Sequence, residues 1–336
     1  FVTIISLLVM VIILISTLLL IHTSNLEYLV VNSTINNVQS YYMVEGKIDL
    51  LLYNEKYYYN EIFPRIETYI KYNRLSPFYN RKILLDREDL LGGDNNIVTI
   101  DFFNDNGKMI MELEASDKYR GISNKLISKI TILNEFFEMA LPIISKDYIT
   151  EDKISDYERY TDYLQREIKI PATNSDIIGV EAINYEEIVL KKDLNNRISI
   201  EHYRNNIENP IKKEIITNNR LFLLVKNNSL VPTTLSIKSE DNLGKITIEG
   251  VLYIEGDLEI YCNIDFSGVL IVNKGKFYID PSVEAKFQGE VFLIDSIEEI
   301  EYNDKIHISY SLRDIRKYGI YLPKFIDPKI QLIKVK

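Results

Sequence analysis

The chain has 336 residues, a length that suits about two domains. Hydrophobic residues make up 46% and charged residues 26%, a balance that excludes wholesale disorder. Its 39 Lys and Arg against 49 Asp and Glu leave a net charge of −10, which argues against a general nucleic-acid binder, because neutralising phosphates takes a basic surface.

Phe1 to Ile21 reads FVTIISLLVMVIILISTLLLI, with no charge, no Gly and no Pro. As a helix it would span roughly 32 Å, close to the thickness of a bilayer core. Thr3, Ser6, Ser16 and Thr17 are hydroxyls that can bond back to their own helix carbonyls, so lipid tolerates them. A secretory signal peptide would need a basic start, a shorter apolar core and a small-residue cleavage site, and none of these is present. Phe1 stands where Met would initiate, ahead of a retained apolar segment, and reads as a processed N-terminus.

From His22 to about Tyr53 there is no Pro and the only Gly is Gly46. Leu26, Leu29, Val30, Val38, Tyr41, Tyr42, Ile48, Leu51 and Leu52 recur at helical spacing, while Asn25, Glu27, Asn32, Asn36, Asn37 and Gln39 fill a polar face. The spacing predicts one continuous helix over residues 1–53, with 1–21 transmembrane and the second half packed on a domain.

A chain that begins with Phe, enters an apolar helix at once and continues as an amphipathic one resembles the type IV pilins and pseudopilins. The resemblance implies that a prepilin peptidase cuts before Phe1 and that Phe1 is N-methylated. It also implies that Phe1, Ile4, Leu7 and Leu8 belong to a segment that anchors in the membrane and later enters a filament core. Leu26-Glu27, Asn32, Tyr41-Tyr42 and Glu45-Gly46 are similar to the N-terminal signature of the large PilX-type minor pilins. Position 5 departs from the family. Most pilins carry Glu there, to neutralise the terminal ammonium of a neighbour, and this chain has Ile5. A subunit without that carboxylate would fit where no predecessor exists, at the tip, as in the K-type pseudopilin. Major pilins also often have Gly or Pro between about residues 14 and 22, and Leu14–His22 has neither.

Beyond the helix, Ile62–Tyr72 is expected to form a short helix. IVTIDFF (Ile97–Phe103), NDNG (Asn104–Gly107) and KMIMELEA (Lys108–Ala115) give the clearest hairpin signal. Asp101, Asn104, Asp105 and Asn106 lack the spacing of a calcium loop and read as turn residues. Ile122 to about Ile168 is expected to be mostly helical, from apolar residues at Ile122, Leu126, Ile130, Leu133, Phe136, Phe137, Ala140 and Leu141 and a stop at Pro142. Within it, Asp147–Arg166 reads as a charged surface helix.

Further on, Gly250, Gly268 and Gly289 each open a β-rich run, with Gly256 and Gly275 following inside the first two. This repetition suggests coils of a parallel β-solenoid that bury Leu252, Ile254, Leu258, Ile260, Leu270, Val272, Phe277 and Ile279, with glycines at the corners. An antiparallel meander is the alternative.

The single cysteine, Cys262, excludes an intramolecular disulfide, and His22, His202 and His307 are too scattered for a recognisable triad or zinc motif. Nucleotide-binding and hydrolase motifs are lacking. Glu186-Glu187 and Glu298-Glu299 are adjacent carboxylates that a strand would point to opposite faces.

The expectation is therefore an α+β protein: a long N-terminal pilin helix (1–53), a mixed α/β head (54–230) and a β-rich, solenoid-like part (231–336). No catalytic residues, cofactor or metal are expected, and the expected function is that of a minor pilin of the tip class, initiating assembly. The expected partners are other minor pilins, the major pilin, the cytoplasmic membrane and a prepilin peptidase, with no nucleic acid. Two other readings stay open: a membrane-anchored β-solenoid scaffold, and an anchored carbohydrate-active enzyme.

Overall fold

The computed structural model describes residues 1–75, 77–90, 92, 95–172, 176–204, 209–227, 232–241 and 244–335. It begins with α1 (Val2–Tyr53), α2 (Glu55–Tyr57), α3 (Phe63–Tyr72) and strands β1 (Lys82–Leu84), β2 (Ile97–Asp105), β3 (Lys108–Tyr119) and β4 (Ile122–Leu133). After β5 (Ile143–Ser145) and α4 (Ile154–Glu167) come β6 (Ile178–Ile183), β7 (Glu187–Lys192), β8 (Ile198–Tyr203), β9 (Lys212–Ile216), β10 (Arg220–Lys226) and β11 (Thr233–Ser239). The chain closes with β12 (Lys245–Ile260), β13 (Asn263–Asn273), β14 (Lys276–Ile279), β15 (Ala285–Ile294), β16 (Ile297–Ile300), β17 (Ile306–Tyr310), α5 (Leu312–Gly319) and β18 (Ile326–Val335). A long N-terminal helix thus accompanies a large β-sheet region, an α+β protein.

The chain forms two compact units, Phe1–Ile132 with Pro328–Lys336, and Leu133–Asp327. The sequence-based boundary at 230–231 lies outside the described residues.

In the first unit a five-stranded sheet runs in the order β1-β2-β3-β4-β18. The expected hairpin is present: β2 and β3 pair antiparallel from Val98↔Ala115 to Asp105↔Lys108. Asn106 and Gly107 turn it with φ of 50° and 84°, as a two-residue turn with both residues left-handed requires. The short helix expected at Ile62–Tyr72 forms as α3, with Pro64 in its first turn and Asn73 closing it in the left-handed conformation. Ile62, Ile66 and Ile70 are buried together with Val98, Ile100, Met109, Met111 and Leu113.

Ile122–Leu133 corrects the expected helix. It is β4, paired antiparallel with β3 from Ile110↔Thr131 to Tyr119↔Ile122. Leu126, Ser128, Ile130 and Ile132 are buried at a period of two, and Leu133 at the strand's end is buried as well. Ser128 breaks the apolar alternation in the sequence, so the remaining Leu126 and Ile130 mimic helical spacing. The turn before β4 is Arg120-Gly121, again with φ positive at both residues (46° and 91°), but Arg is not a usual occupant of such a turn. The charged helix expected over Asp147–Arg166 forms only from Ile154, as α4, with short 3-10 turns before it, and it buries Tyr157, Tyr160 and Leu164.

In the second unit the strands stack in parallel along two ladders. In one, β6, β10, β12, β13 and β15 lie side by side, and β5 and β17 each pair β15. In the other, β7, β11, the end of β12, β14 and β16 do the same. β8 and β9 extend this second ladder antiparallel from β7. Between the ladders lies one apolar cluster, which contains Leu252, Ile254, Leu258, Ile260, Leu270, Val272, Phe277, Ile279 and Cys262. Burial pushes the Cys262 thiol up to about 11, so it is an inert small apolar group.

Gly250, Gly268 and Gly289 stand in one column across β12, β13 and β15. Their φ values are 143°, 144° and 139°, and a Cβ on Gly268 would run into the Gly250 carbonyl oxygen. Strands approach here at a distance and a backbone angle that side chains forbid. Beside this column, Val251, Val269 and Glu290 share a register. Glu290 is buried, and both of its carboxylate oxygens are without a hydrogen-bond partner among the described residues. Burial holds its pKa well above the usual carboxylate range.

Gly268→Ala is expected to destabilise the chain by about 3 kcal/mol or more, through backbone clash and strain. Gly121→Ala, whose Cβ would meet nothing within 4 Å, should cost only the strain of its φ, about 1 kcal/mol. Thermal melts of the two variants test the contrast. Because Glu290 is neutral in the fold and ionised when unfolded, its stabilising contribution is complete below the unfolded carboxylate pKa, near 4.3, and declines as pH rises above it. Glu290→Gln should flatten that decline, so melting temperatures of variant and parent should diverge from about pH 5 to about pH 8 in favour of the variant.

Candidate functional site

The feature with an evident outward role is α1. It runs unbroken from Val2 to Tyr53, with Gly46 inside it. Its most apolar 18-residue window has a mean hydropathy of 3.2 and is 0% buried within the protein. The helix holds its backbone groups in internal hydrogen bonds, which is the condition for residence in hydrocarbon. Its hydroxyls follow suit: Thr17 Oγ1 donates to the Ile13 carbonyl at 2.8 Å and Thr23 Oγ1 to the Leu19 carbonyl at 2.9 Å. In water this surface would be a large apolar liability. In a bilayer, or among other apolar helices, it is the stable arrangement.

The residues singled out in the sequence fall on this exposed surface. Phe1 is 94% exposed, and Ile4, Ile5, Leu7 and Leu8 are 70%, 50%, 67% and 57% exposed. Leu26, Glu27 and Gly46 are also exposed, and Asn32 and Glu45 are half-buried. All of them lie along one helix, spread over its length and around its circumference.

The expected apolar stripe of the second half needs correction. Leu26, Leu29, Val30, Val38 and Tyr42 are exposed, and only Ile48 and Leu51 of that set are fully buried. The face that packs into the first unit consists of Asn36, Ser40, Met43, Val44, Lys47, Ile48 and Leu51. Asn36, assigned to the polar face by spacing, is on the buried one. Asn37 beside it accepts two hydrogen bonds from the Asn124 Nδ2 amide, both at 3.0 Å.

Lys47 was not singled out by sequence reasoning, yet it fastens this face. It is 1% exposed, and its Nζ lies 2.7 Å from Asp117 Oδ2 on β3. The same ammonium donates to the Ser116 carbonyl at 3.0 Å and to the Asn95 carbonyl. A buried ammonium is tolerated because its donors are satisfied and a carboxylate sits beside it. The available signal was a Lys at helical spacing among Met43, Val44, Ile48 and Leu51.

The adjacent carboxylates are engaged in surface pairs. Glu187 pairs with Lys238 at 3.2 Å, Glu299 pairs with Lys276 at 3.1 Å, and Glu298 accepts from the Tyr302 hydroxyl at 2.5 Å. Among the described residues no group of three or more His, Cys, Asp or Glu is placed to hold a metal ion.

No protein-family model matches the sequence, and no curated protein matches it. Among solved structures, the crystal structure of the competence-associated pilin ComZ from Thermus thermophilus is similar at 9% identity and a TM-score of 0.24, over 90% of this chain and 98% of that one.

Lys47→Met would leave Asp117 buried without its cation, and a loss of about 3–5 kcal/mol is expected by chemical denaturation. Replacing both partners with apolar residues should recover most of that loss.

Proposed function

We propose that this chain is a membrane-anchored subunit of a type IV pilus or related filament, of the minor-pilin class, located at the filament tip. The observation that carries the reading is the division of α1: an exposed, uncharged apolar segment continuous with a segment buried in the first unit. Such a helix holds its head at a bilayer before assembly and can enter a bundle of like helices afterwards, since both surroundings are apolar. The Leu26-Glu27, Asn32 and Glu45-Gly46 pattern supports the same class. In this reading Phe1 is the site of processing and methylation, Ile4, Ile5, Leu7 and Leu8 enter the filament core, and the partners are minor pilins, the major pilin and a prepilin peptidase. The chain has no catalytic role. Tip location follows from Ile5, which offers no carboxylate to a preceding subunit's terminal ammonium. An unpaired buried charge costs several kcal/mol, so such a subunit is favoured only where nothing precedes it.

The second reading is a membrane-anchored scaffold. We infer that the parallel ladders with their glycine column are coils of a β-solenoid, and the favouring observation is the repeated register Gly250↔Gly268↔Gly289. Stacked coils end in strand edges through which copies could polymerise without any filament helix core.

Immunogold labelling of the head on cells and sheared filaments separates these readings. Label at filament ends is expected, and Ile5→Glu should spread it along the filament. Label confined to the cell membrane would overturn the tip assignment and favour the scaffold. Label that stays at the ends in the Ile5→Glu variant would show that position 5 does not determine location.

A further inference from the structure

We propose that β9 is an acid-released edge strand, held on β8 only while the buried side chain of His202 is uncharged. The device lies wholly within the second unit and is independent of the filament reading.

β8 alternates along its length. Ile200 is fully buried in the apolar cluster, Ile198 packs against that cluster, and His202 is the next residue on the same side. Across the ladder it faces Ile188 of β7, which also belongs to the cluster. The His202 residue is 0% exposed, and its ring centre lies 4.7 Å from that of Tyr185. Nε2 donates to Glu214 Oε1 on β9 at 3.1 Å, the tautomer that the carboxylate selects. Nδ1 then carries a lone pair, and it has no hydrogen-bond partner among the described residues. An apolar side chain would fill this position without leaving such an atom. The imidazole is therefore a charge-sensitive group at a place that packing alone would give to an aliphatic one.

Protonation would add an N–H at Nδ1, where no acceptor faces it, and would leave a cation among apolar side chains. The charged surroundings do little to offset that cost. Glu214 attracts the cation, but Lys212 already lies 2.8 Å from the same carboxylate oxygen. Arg204, which follows β8, stands over the Tyr185 ring at 4.7 Å and is a second cation in the neighbourhood. Burial holds the imidazole below its ordinary range, and the bond to Glu214, which pulls the other way, does not reverse this.

β9 is the element that yields. Among the described residues it pairs with β8 alone. Ile211 and Ile215 are exposed, and of β9 only Ile216 packs against the cluster. The other fastening is a pair between Glu201 and the exposed Lys213 at 2.6 Å, a kind of contact that contributes little. Once β9 leaves, His202 meets water and takes its proton at the ordinary imidazole value, about 6.5. Because its pKa is lower in the fold, His202 supports β9 fully above that value. Each pH unit below it favours release by up to about tenfold, until the folded-state pKa is reached. Release uncovers a strand edge bordered by Ile198 and Ile200, the form in which sheets take on further strands.

The test is amide hydrogen exchange of the full chain in detergent micelles, read by mass spectrometry at about pH 7 and about pH 5 and corrected for intrinsic exchange. Protection of residues 212–216 is expected to fall at least about threefold at the lower pH, while that of β13 is unchanged. In His202→Gln, whose amide donates to Glu214 at both pH values, β9 should stay protected. Exchange of the imidazole C2 hydrogens in the same samples reports each histidine. His202 should titrate below the exposed His307, with the same midpoint as the release of β9. Unchanged protection of β9 at the lower pH, equal loss of it in His202→Gln, or a His202 that titrates together with His307 would each overturn the proposal. If His202→Gln does not fold, the two midpoints in the parent chain decide: coincidence supports the latch and separation overturns it.

Discussion

The ion pair between Lys47 and Asp117 is the constraint on which the first unit depends. It joins α1 to β3, the central strand of the five-stranded sheet, in a place where both side chains are almost wholly shielded from water. Desolvating two charges is expensive, and their attraction offsets it only with good geometry and satisfied donors. Here the ammonium also bonds the Ser116 and Asn95 carbonyls, and Ser40 on the same helix face reaches the Asp117 carbonyl at 3.4 Å. An apolar contact alone would let α1 slide or rotate by a turn at small cost. A buried charge with one partner position does not, so the pair sets the register of the helix on the sheet. The direction in which α1 leaves this unit follows from that register.

The second unit meets a different constraint, the close approach of parallel strands. Its interior is a continuous apolar cluster drawn from strands in both ladders. Strands that turn between ladders need corners, and at corners the backbone leaves the angles open to L side chains. The column Gly250, Gly268 and Gly289 meets that need at one level of β12, β13 and β15, and Gly256, with φ of 138°, meets it where β12 passes from one ladder to the other. The outer surface of the first ladder is closed by aromatic packing, with Phe137 5.1 Å and Tyr160 6.4 Å from the Phe292 ring. Glu290 is buried as a neutral acid, with neither carboxylate oxygen hydrogen-bonded among the described residues.

The sequence was readable wherever structure follows from a local pattern. The apolar run of α1, the Asn106-Gly107 hairpin, Pro64 at the start of α3 and the spaced glycines each act through a few neighbouring residues. It misled where a pattern was broken or shared. Ser128 on the buried face of β4 and Arg120 in its turn removed the two signals that distinguish a strand from a helix. Asn36 was placed outside because amides usually are.

What the sequence by itself determined is therefore the long helix with its uncharged apolar first half, the hairpin, and a glycine-punctuated β region whose alternate residues are buried. These depend on backbone propensity and side-chain period, which neighbours along the chain suffice to express. Only the tertiary structure decided that Ile122–Leu133 is a strand, which face of α1 is covered, that Lys47 meets Asp117 and that the glycine-led strands lie parallel in shared register. Each of these is a pairing between segments far apart in the chain, and no local pattern encodes which distant group will satisfy a buried charge or a free strand edge.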